Sequence, residues 1–511
     1  MLSTTLTIPS APTLALVLAI VLPAYVTFTV VYRRYFHPLA KIPGPFLPAV
    51  TVLYQTFYNG RYYRKIEEMH QRYGPVVRIT PDEIHLADPA NYDTIYHIGS
   101  PYSKPPIFYN GINVPYSTFG TPSNSLHKLK RSLISPLFSR RRVLDLEAVV
   151  QDKAARLVSR MEAGVRDGIP VDLHHAFRAV SVDVITDYAF GESYHLLDKP
   201  DLGARFFRMV AGVGPSLWIF QAAPALQRLA LKIPPWLAPW LSEPLGQVTK
   251  LQTKCVEQVK DVQARMATGK MPSERPTVFS ELLNPENSDV LPIPTPMQLK
   301  DEAYSFLAAA ADTTGNAMST ATYHVLANKG IHSRLRDELV DAFPDPEAPL
   351  DFVALERLPY LTAVIKEGLR LSFGVPGRLP RVTPEGGATF NGYYVPEGTI
   401  VGMSSWLMHR DEAAFPEPMK FEPSRWLDPE DARRLDRYMI PFGRGSRQCV
   451  GMPLAYCEIY VTLGAFFRRF ADTQLEVYKT TARDLEFVDF FSSYYIPGRN
   501  WLKVVGQRRQ I

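Results

Sequence analysis

Only three cysteines, Cys255, Cys449 and Cys457, occur in 511 residues. So small and odd a number excludes a disulfide scaffold and points to a reducing compartment. One-sided charge is missing too: 56 Lys and Arg against 51 Asp and Glu leave +5 over the whole chain. That is too weak for a nucleic-acid binder, which gathers its basic residues on one face. No Gly-x-Gly-x-x-Gly follows a strand-like run, so the chain carries no dinucleotide fingerprint of its own. Internal repeats and low-complexity runs are absent. So is any Lys, Arg, Asp, Glu or His in the first 32 residues.

Within that uncharged start, Leu14 to Tyr32 is almost wholly apolar. A bilayer core of ~30 Å needs about 20 such residues at helical rise. No basic segment precedes the run and no small-residue cleavage site follows it, which disfavours a signal peptide and favours a retained anchor. Arg33, Arg34 and Lys41 come directly after, so the positive-inside rule places the remainder in the cytosol. Proline is plentiful, 45 residues, and is dense from Pro38 to Pro48, where it stops the helix and stiffens the connection. The chain therefore divides into a short lumenal N-terminus (1–13), a transmembrane anchor (14–32), a Pro-rich hinge (33–50) and one large domain (51–511).

Helical signals dominate that domain. The longest stretch starts at Thr295-Pro296, an N-cap followed by Pro at N1, and extends to Asn328-Lys329-Gly330. Its centre reads Ala308-Ala309-Ala310-Ala311-Asp312-Thr313-Thr314-Gly315. A solvated helix face explains Asp312 and Thr313 less well than a chemical role, because both are poor helix-interior residues. Strand-like runs are short: 76–80 and 83–87 around Pro81-Asp82, and 389–395 around the Asn391-Gly392 turn. Residues 411–441 read as a long irregular segment, which needs side-chain ties to stay ordered.

The richest chemistry lies at Pro441-Phe442-Gly443-Arg444-Gly445-Ser446-Arg447-Gln448-Cys449-Val450-Gly451, leading into an apolar helical run. A cysteine at a helix N-terminus beside arginine has a lowered pKa, so Cys449 reads as a ready thiolate. A buried inert thiol is the alternative, and Cys457 and Cys255 fit it. No second Cys or His stands at zinc-ligand spacing from Cys449.

The spacing Phe442-x-x-Gly445-x-Arg447-x-Cys449-x-Gly451 resembles the haem-binding signature of the cytochrome P450 family at every defined position. The resemblance implies the cytochrome P450 fold, mainly α with a smaller β part, a long central helix over the haem and one N-terminal transmembrane helix. It implies haem b (iron protoporphyrin IX) held by Cys449 as axial ligand, with Phe442 and Gly451 shaping the loop and Arg447 pairing with a propionate. His127 and Arg131, i and i+4 on a helix start, match the family's propionate-gripping pair. Arg378 or Arg381 supplies a further partner. Glu367 and Arg370 match the buried E-x-x-R pair, and Arg425 in the Phe415-to-Trp426 segment matches the arginine that joins it. Thr313 and Asp312 match the alcohol and acid that deliver protons during oxygen activation, with Ala310 where the family often has Gly.

By the same resemblance the chain is a monooxygenase of the membrane-bound fungal type. It would insert one oxygen atom from O2 into a lipophilic small molecule, a terpenoid or polyketide intermediate of secondary metabolism. Electrons would come from NADPH through a separate cytochrome reductase, with Lys130, Arg433, Arg434 and Arg444 as a candidate docking patch. The implied location is the endoplasmic reticulum membrane, single-pass, with lipid as a contact and no nucleic-acid partner. The implied pocket segments are 107–119, 306–313, 373–376 and 490–494. A haem-thiolate isomerase or dehydratase and a haem sensor are the competing readings; neither needs Asp312 and Thr313.

Overall fold

The structure, a computed structural model, describes residues 11–508 apart from 213, 231, 235, 270–274, 285 and 287–291. Most of the lumenal segment expected at 1–13 thus lies outside the described residues. Helix Ala11–Val31 continues through Pro23. A span of 22 residues, Ala15–Phe36, has mean hydropathy 2.2 and buries nothing against the rest of the chain. It stops at His37, whose backbone turns extended before Pro38. The Pro-rich segment after it is docked rather than loose. Arg78 donates from its amide to Pro43 O (2.8 Å) and from Nη1 to Arg33 O (2.9 Å), and Arg33 Nη1 donates to Val50 O (2.7 Å).

The central helix is Pro296–Ala327, 32 residues and about 48 Å long. Thr295 and Gln298 form a reciprocal capping box at its start. Its far end differs from the sequence reading. Asn328 Oδ1 accepts from the amides of Gly330 (3.0 Å) and Ile331 (3.2 Å), so Gly330 belongs to the next helix, Lys329–Ala342. An asparagine that can cap one helix ends the one before it.

Helices Leu173–Phe190 and Pro359–Ser372 pack along the central helix, and most of its side chains are buried. Two glycines set the approach. A Cβ on Gly368 would lie 2.8 Å from the Cβ of Ala321, and one on Gly315 would lie 2.5 Å from Arg178 Cγ. The β part is small. Its largest sheet orders the strands Val76–Thr80, Glu83–Leu86, Ile400–Gly402 and Arg381–Val382. Separate hairpins pair Ala388–Phe390 with Tyr393–Val395 and Phe487–Phe490 with Ser492–Tyr495. The long 411–441 segment is less irregular than its composition suggests, containing a 3-10 turn, Pro423–Trp426, and a helix, Pro429–Asp436.

Candidate active site

Cys449 sits at the end of a tight loop just before helix Met452–Arg469. The loop is fixed to a neighbouring turn: Ser446 Oγ accepts from the Gly99 amide (2.9 Å), and the Cys449 amide donates to Phe442 O (2.9 Å). Phe442 packs on Tyr456, ring centroids 5.2 Å apart. Gly451 is the helix N-cap, and a Cβ there would meet the Cys449 sulfur at 4.0 Å. The Gly451 and Met452 amides hydrogen-bond to that sulfur and Arg131 faces it, all favouring the thiolate. Desolvation opposes them and raises the thiol, and a thiol so placed gives up its proton on binding a metal. Cys449 keeps an exposed surface, whereas Cys255 and Cys457 are buried.

The central helix has a comparable break in its burial. Between Asp301 and Thr322 only Ala309 is exposed, with Ser305, Ala308, Ala310 and Thr313 half-buried. Thr313 Oγ1 donates to Ala309 O at 2.9 Å, the i−4 bond typical of a helical threonine. Asp312 is buried, and its Oδ1 accepts from Arg178 Nη2. Arg178 also donates from Nε to Ala311 O (2.7 Å). The second carboxylate oxygen, Oδ2, is buried without a partner. Burial raises the pKa of Asp312 and Arg178 opposes the rise. Arg178 gave no signal in the sequence, being a lone arginine in an apolar helix remote from Asp312 along the chain.

Cations gather on the other side of the cysteine loop. Arg447 donates from Nη1 to Thr121 O (2.6 Å) and from Nη2 to Pro122 O (2.8 Å) and Asn124 Oδ1 (2.9 Å). It is thereby fastened to the N-terminus of helix Asn124–Ile134, which carries His127 and Arg131. Arg131 Nε donates to Ser135 Oγ (2.8 Å). His127 is buried and pushed down to about 3 by burial and by the nearby Arg447, Lys104 and Arg131, so it is a neutral donor. Arg378 and Arg381 differ in their pairing. Buried Arg378 donates to Glu83 Oε1 (2.5 Å) and Gln55 Oε1 (3.0 Å), whereas Arg381 meets only neutral oxygens, with Tyr109 Oη at 2.9 Å. Among the described residues no carboxylate pairs with Arg131, Arg381 or Arg447.

A family profile described as cytochrome P450 matches residues 42–485. The chain belongs to the cytochrome P450 family. The cytochrome P450 monooxygenase tpcC of Cochliobolus heterostrophus is 37% identical over 481 residues, covering 90% of this chain and 91% of that one. N-acetyltryptophan 6-hydroxylase ivoC of Emericella nidulans is 35% identical, covering 98% of each chain. Tryptophan 6-hydroxylase fscE of Fusarium equiseti is 34% identical, covering 93% and 94%. The protein is accordingly a cytochrome P450 monooxygenase, and its family's cofactor is haem. The residues present fit that group. An accessible sulfur with two amide donors suits a thiolate ligand to iron, and buried or half-buried cations lacking carboxylates suit two propionates.

The brace of this cytochrome P450 differs in one member from expectation. Glu367 and Arg370 are fully buried and joined twice, Nε to Oε1 at 2.8 Å and Nη2 to Oε2 at 2.7 Å. Arg370 also donates to His409 O (3.0 Å), Pro418 O (2.5 Å) and Lys420 O (2.9 Å). Arg425 does not hydrogen-bond to Glu367; its Nη2 donates to Glu417 O (3.2 Å). Trp426 Nε1 occupies the place instead, 2.9 Å from Glu367 Oε1, and the Glu422 amide donates to Oε2 (3.0 Å). The 3-10 turn at 423–426 brings the indole inward and sends the guanidinium toward the 417 carbonyl.

One further expectation is corrected. Phe373 is core, not pocket lining, since it is 1% exposed and packs on Trp406 at 4.7 Å. Three of the four cations suggested for a docking patch have partners within the protein. Lys130 donates to Tyr116 O (2.7 Å) and Thr121 Oγ1 (3.1 Å), Arg434 pairs with Asp431 (2.9 Å) and Arg444 with Asp93 (3.1 Å). Of the four, Arg433 alone is exposed without an ion pair among the described residues.

Proposed function

We propose that this cytochrome P450 is a membrane-anchored haem-thiolate monooxygenase that places one oxygen atom into a lipophilic, ring-bearing small molecule of fungal secondary metabolism. The observation that carries it is the Cys449 sulfur, presented by the Gly451 and Met452 amides beside cations that have no carboxylate partner. Haem b, when bound, supplies dioxygen activation, with one oxygen atom going to substrate and the other to water. Cys449 would hold its iron through the sulfur, which the two amides would orient. His127, Arg131, Arg381 and Arg447 would hold the propionates.

The protein's own groups then manage protons. Thr313 Oγ1 keeps its proton on Ala309 O and has lone pairs free to accept from water. Asp312 takes and releases protons at Oδ2, the oxygen that Arg178 leaves unbonded. This alcohol and acid pair favours the oxygenase cycle over isomerisation or dehydration. Replacing Thr313 by Ala should preserve haem content but raise NADPH consumed per product about tenfold or more, the scale of one lost proton-transfer group. Product analysis with an oxygen electrode checks this. An unchanged ratio removes Thr313 from the proton path.

The substrate class rests on the half-buried aromatics where the 107–119 and 490–494 segments meet. Phe119 lies 5.4 Å from Phe491 in an edge contact. Such walls suit an apolar ring system. A terpenoid or polyketide intermediate fits them; the names of the two tryptophan hydroxylases favour an indole as the second reading. Electrons would arrive from an NADPH-cytochrome reductase. The location would be the endoplasmic reticulum membrane, with the catalytic domain (51–511) cytosolic. Phe46, Leu47, Leu53 and Phe57, all exposed just beyond the anchor, support lipid contact by the domain as well. Deleting residues 1–32 keeps the docked Arg33 and should move most of the protein from the pelleted membrane fraction to the supernatant. Complete retention in the pellet contradicts the anchor assignment.

A further inference from the structure

Two consecutive carboxylates, Asp301 and Glu302, are buried in the first half of the central helix, 1% and 7% exposed. Each accepts an amide of the loop before helix Asn124–Ile134. Tyr116 N donates to Asp301 Oδ2 (2.9 Å) and Thr118 N to Glu302 Oε2 (2.7 Å). Asp301 is also paired with a cation, Lys300 Nζ at 2.9 Å. Glu302 has no ion pair among the described residues, and it borders a cavity of about 210 Å³.

The walls of that cavity are aliphatic: Leu133, Ile134, Leu282 and Leu299, from three different helices. A cavity of ~150 Å³ with such a lining takes up benzene, so a ring system has room here. Lys130 lines the cavity opposite in sign to Glu302, and an apolar space with a few convergent polar groups is the usual make-up of a ligand site. Lys130 Nζ uses two donors, on Tyr116 O and Thr121 Oγ1, and an ammonium has a third. Thr118 gives Glu302 its amide and its hydroxyl, which leaves acceptor positions on the carboxylate free. Burial lifts Glu302 to about 7, and Lys130 is near enough to oppose the rise. Yet the two form no ion pair among the described residues. A cation and a carboxylate that border one cavity without meeting leave a place between them for an atom that accepts from one and donates to the other.

Neither Cys449 nor Ala309 nor Thr313 lines this cavity. Glu302, Phe306, Ala309 and Thr313 share one face of the central helix, and Glu302 lies about 10 Å from Ala309 at helical rise. Phe306 stands between them, 9% exposed and packed on Phe138 (5.5 Å) and Phe279 (6.2 Å).

We propose that the Glu302 cavity is a second ligand site, selective for the hydroxylated form of a ring compound over its unoxidised parent. The choice of ligand rests on the function proposed for the chain, since oxygen insertion into a ring C–H bond creates that hydroxyl. The hydroxyl donates to Glu302 and accepts from Lys130. The parent ring does neither, so on entry it displaces water from both charged groups and leaves them unpaired. A site built around a hydroxyl discriminates strongly for this reason.

The test uses full-length holoprotein with phenylimidazole saturating the haem, which closes the space above the iron to other ligands. Equilibrium dialysis then measures naphthol and naphthalene on wild type, Glu302→Gln and Leu299→Trp. Wild type should bind naphthol about tenfold or more tightly than naphthalene, the scale of one hydrogen bond to a charged group. Glu302→Gln keeps an acceptor for the Thr118 amide and should lose most of that preference. Leu299→Trp fills the cavity and should abolish naphthol binding; if it does not fold, Glu302→Gln decides alone. Equal binding of the two probes to wild type overturns the proposal, as does an unchanged preference in Glu302→Gln. Loss of all naphthol binding once phenylimidazole is present also overturns it, because the haem cavity is then the only site. Failure of the haem-thiolate reading itself would appear separately, as wild-type protein whose visible absorption does not shift with phenylimidazole.

Discussion

Glu367→Ala should destabilise the fold by about 3–5 kcal/mol, the cost of leaving a buried ion-pair partner uncompensated. The substitution strands the Arg370 guanidinium, 0% exposed, and frees Trp426 Nε1 and the Glu422 amide together. Since Arg370 also holds the carbonyls of His409, Pro418 and Lys420, the 409–426 segment loses its tie to helix Pro359–Ser372. Urea unfolding should therefore show a lowered midpoint, and purified protein should carry little haem. Trp426→Phe should cost about 1.5–3 kcal/mol for one bond to a charged group, more than Arg425→Ala, which removes one long bond to a carbonyl. The reverse ranking would restore Arg425 as the third member of the brace.

Gly445→Val should be nearly as damaging, through the cysteine loop. Gly445 has φ +73°, a conformation costly for a β-branched residue. An added Cβ would lie 2.4 Å from His97 O and 2.6 Å from Tyr96 O. Strain of about 1–3 kcal/mol adds to that clash, and the loop has to lift from the turn that holds Ser446. Haem content per polypeptide should fall to about a tenth of wild type or less, the upper part of that strain range as a population. Full haem content would show that the loop has room the close contact denies.

What the sequence disclosed follows from how local each signal is. The cysteine loop reads directly, because its glycines, arginines and sulfur are consecutive. The start of the central helix reads as well, since Thr295, Pro296 and Gln298 form a cap within four positions. Its end was misplaced because Asn328 caps forward, and one residue cannot show which helix it serves. Arg178 on Asp312 and Trp426 on Glu367 join distant stretches through packing, and no spacing rule reaches them.

The central claim is tested most directly by the reduced, carbon monoxide-saturated spectrum of purified full-length protein beside Cys449→Ala. Thiolate ligation predicts the red-shifted carbon monoxide band in the wild type and its complete loss in the variant. The same band surviving without the Cys449 sulfur, or a wild-type spectrum of imidazole type, would contradict it.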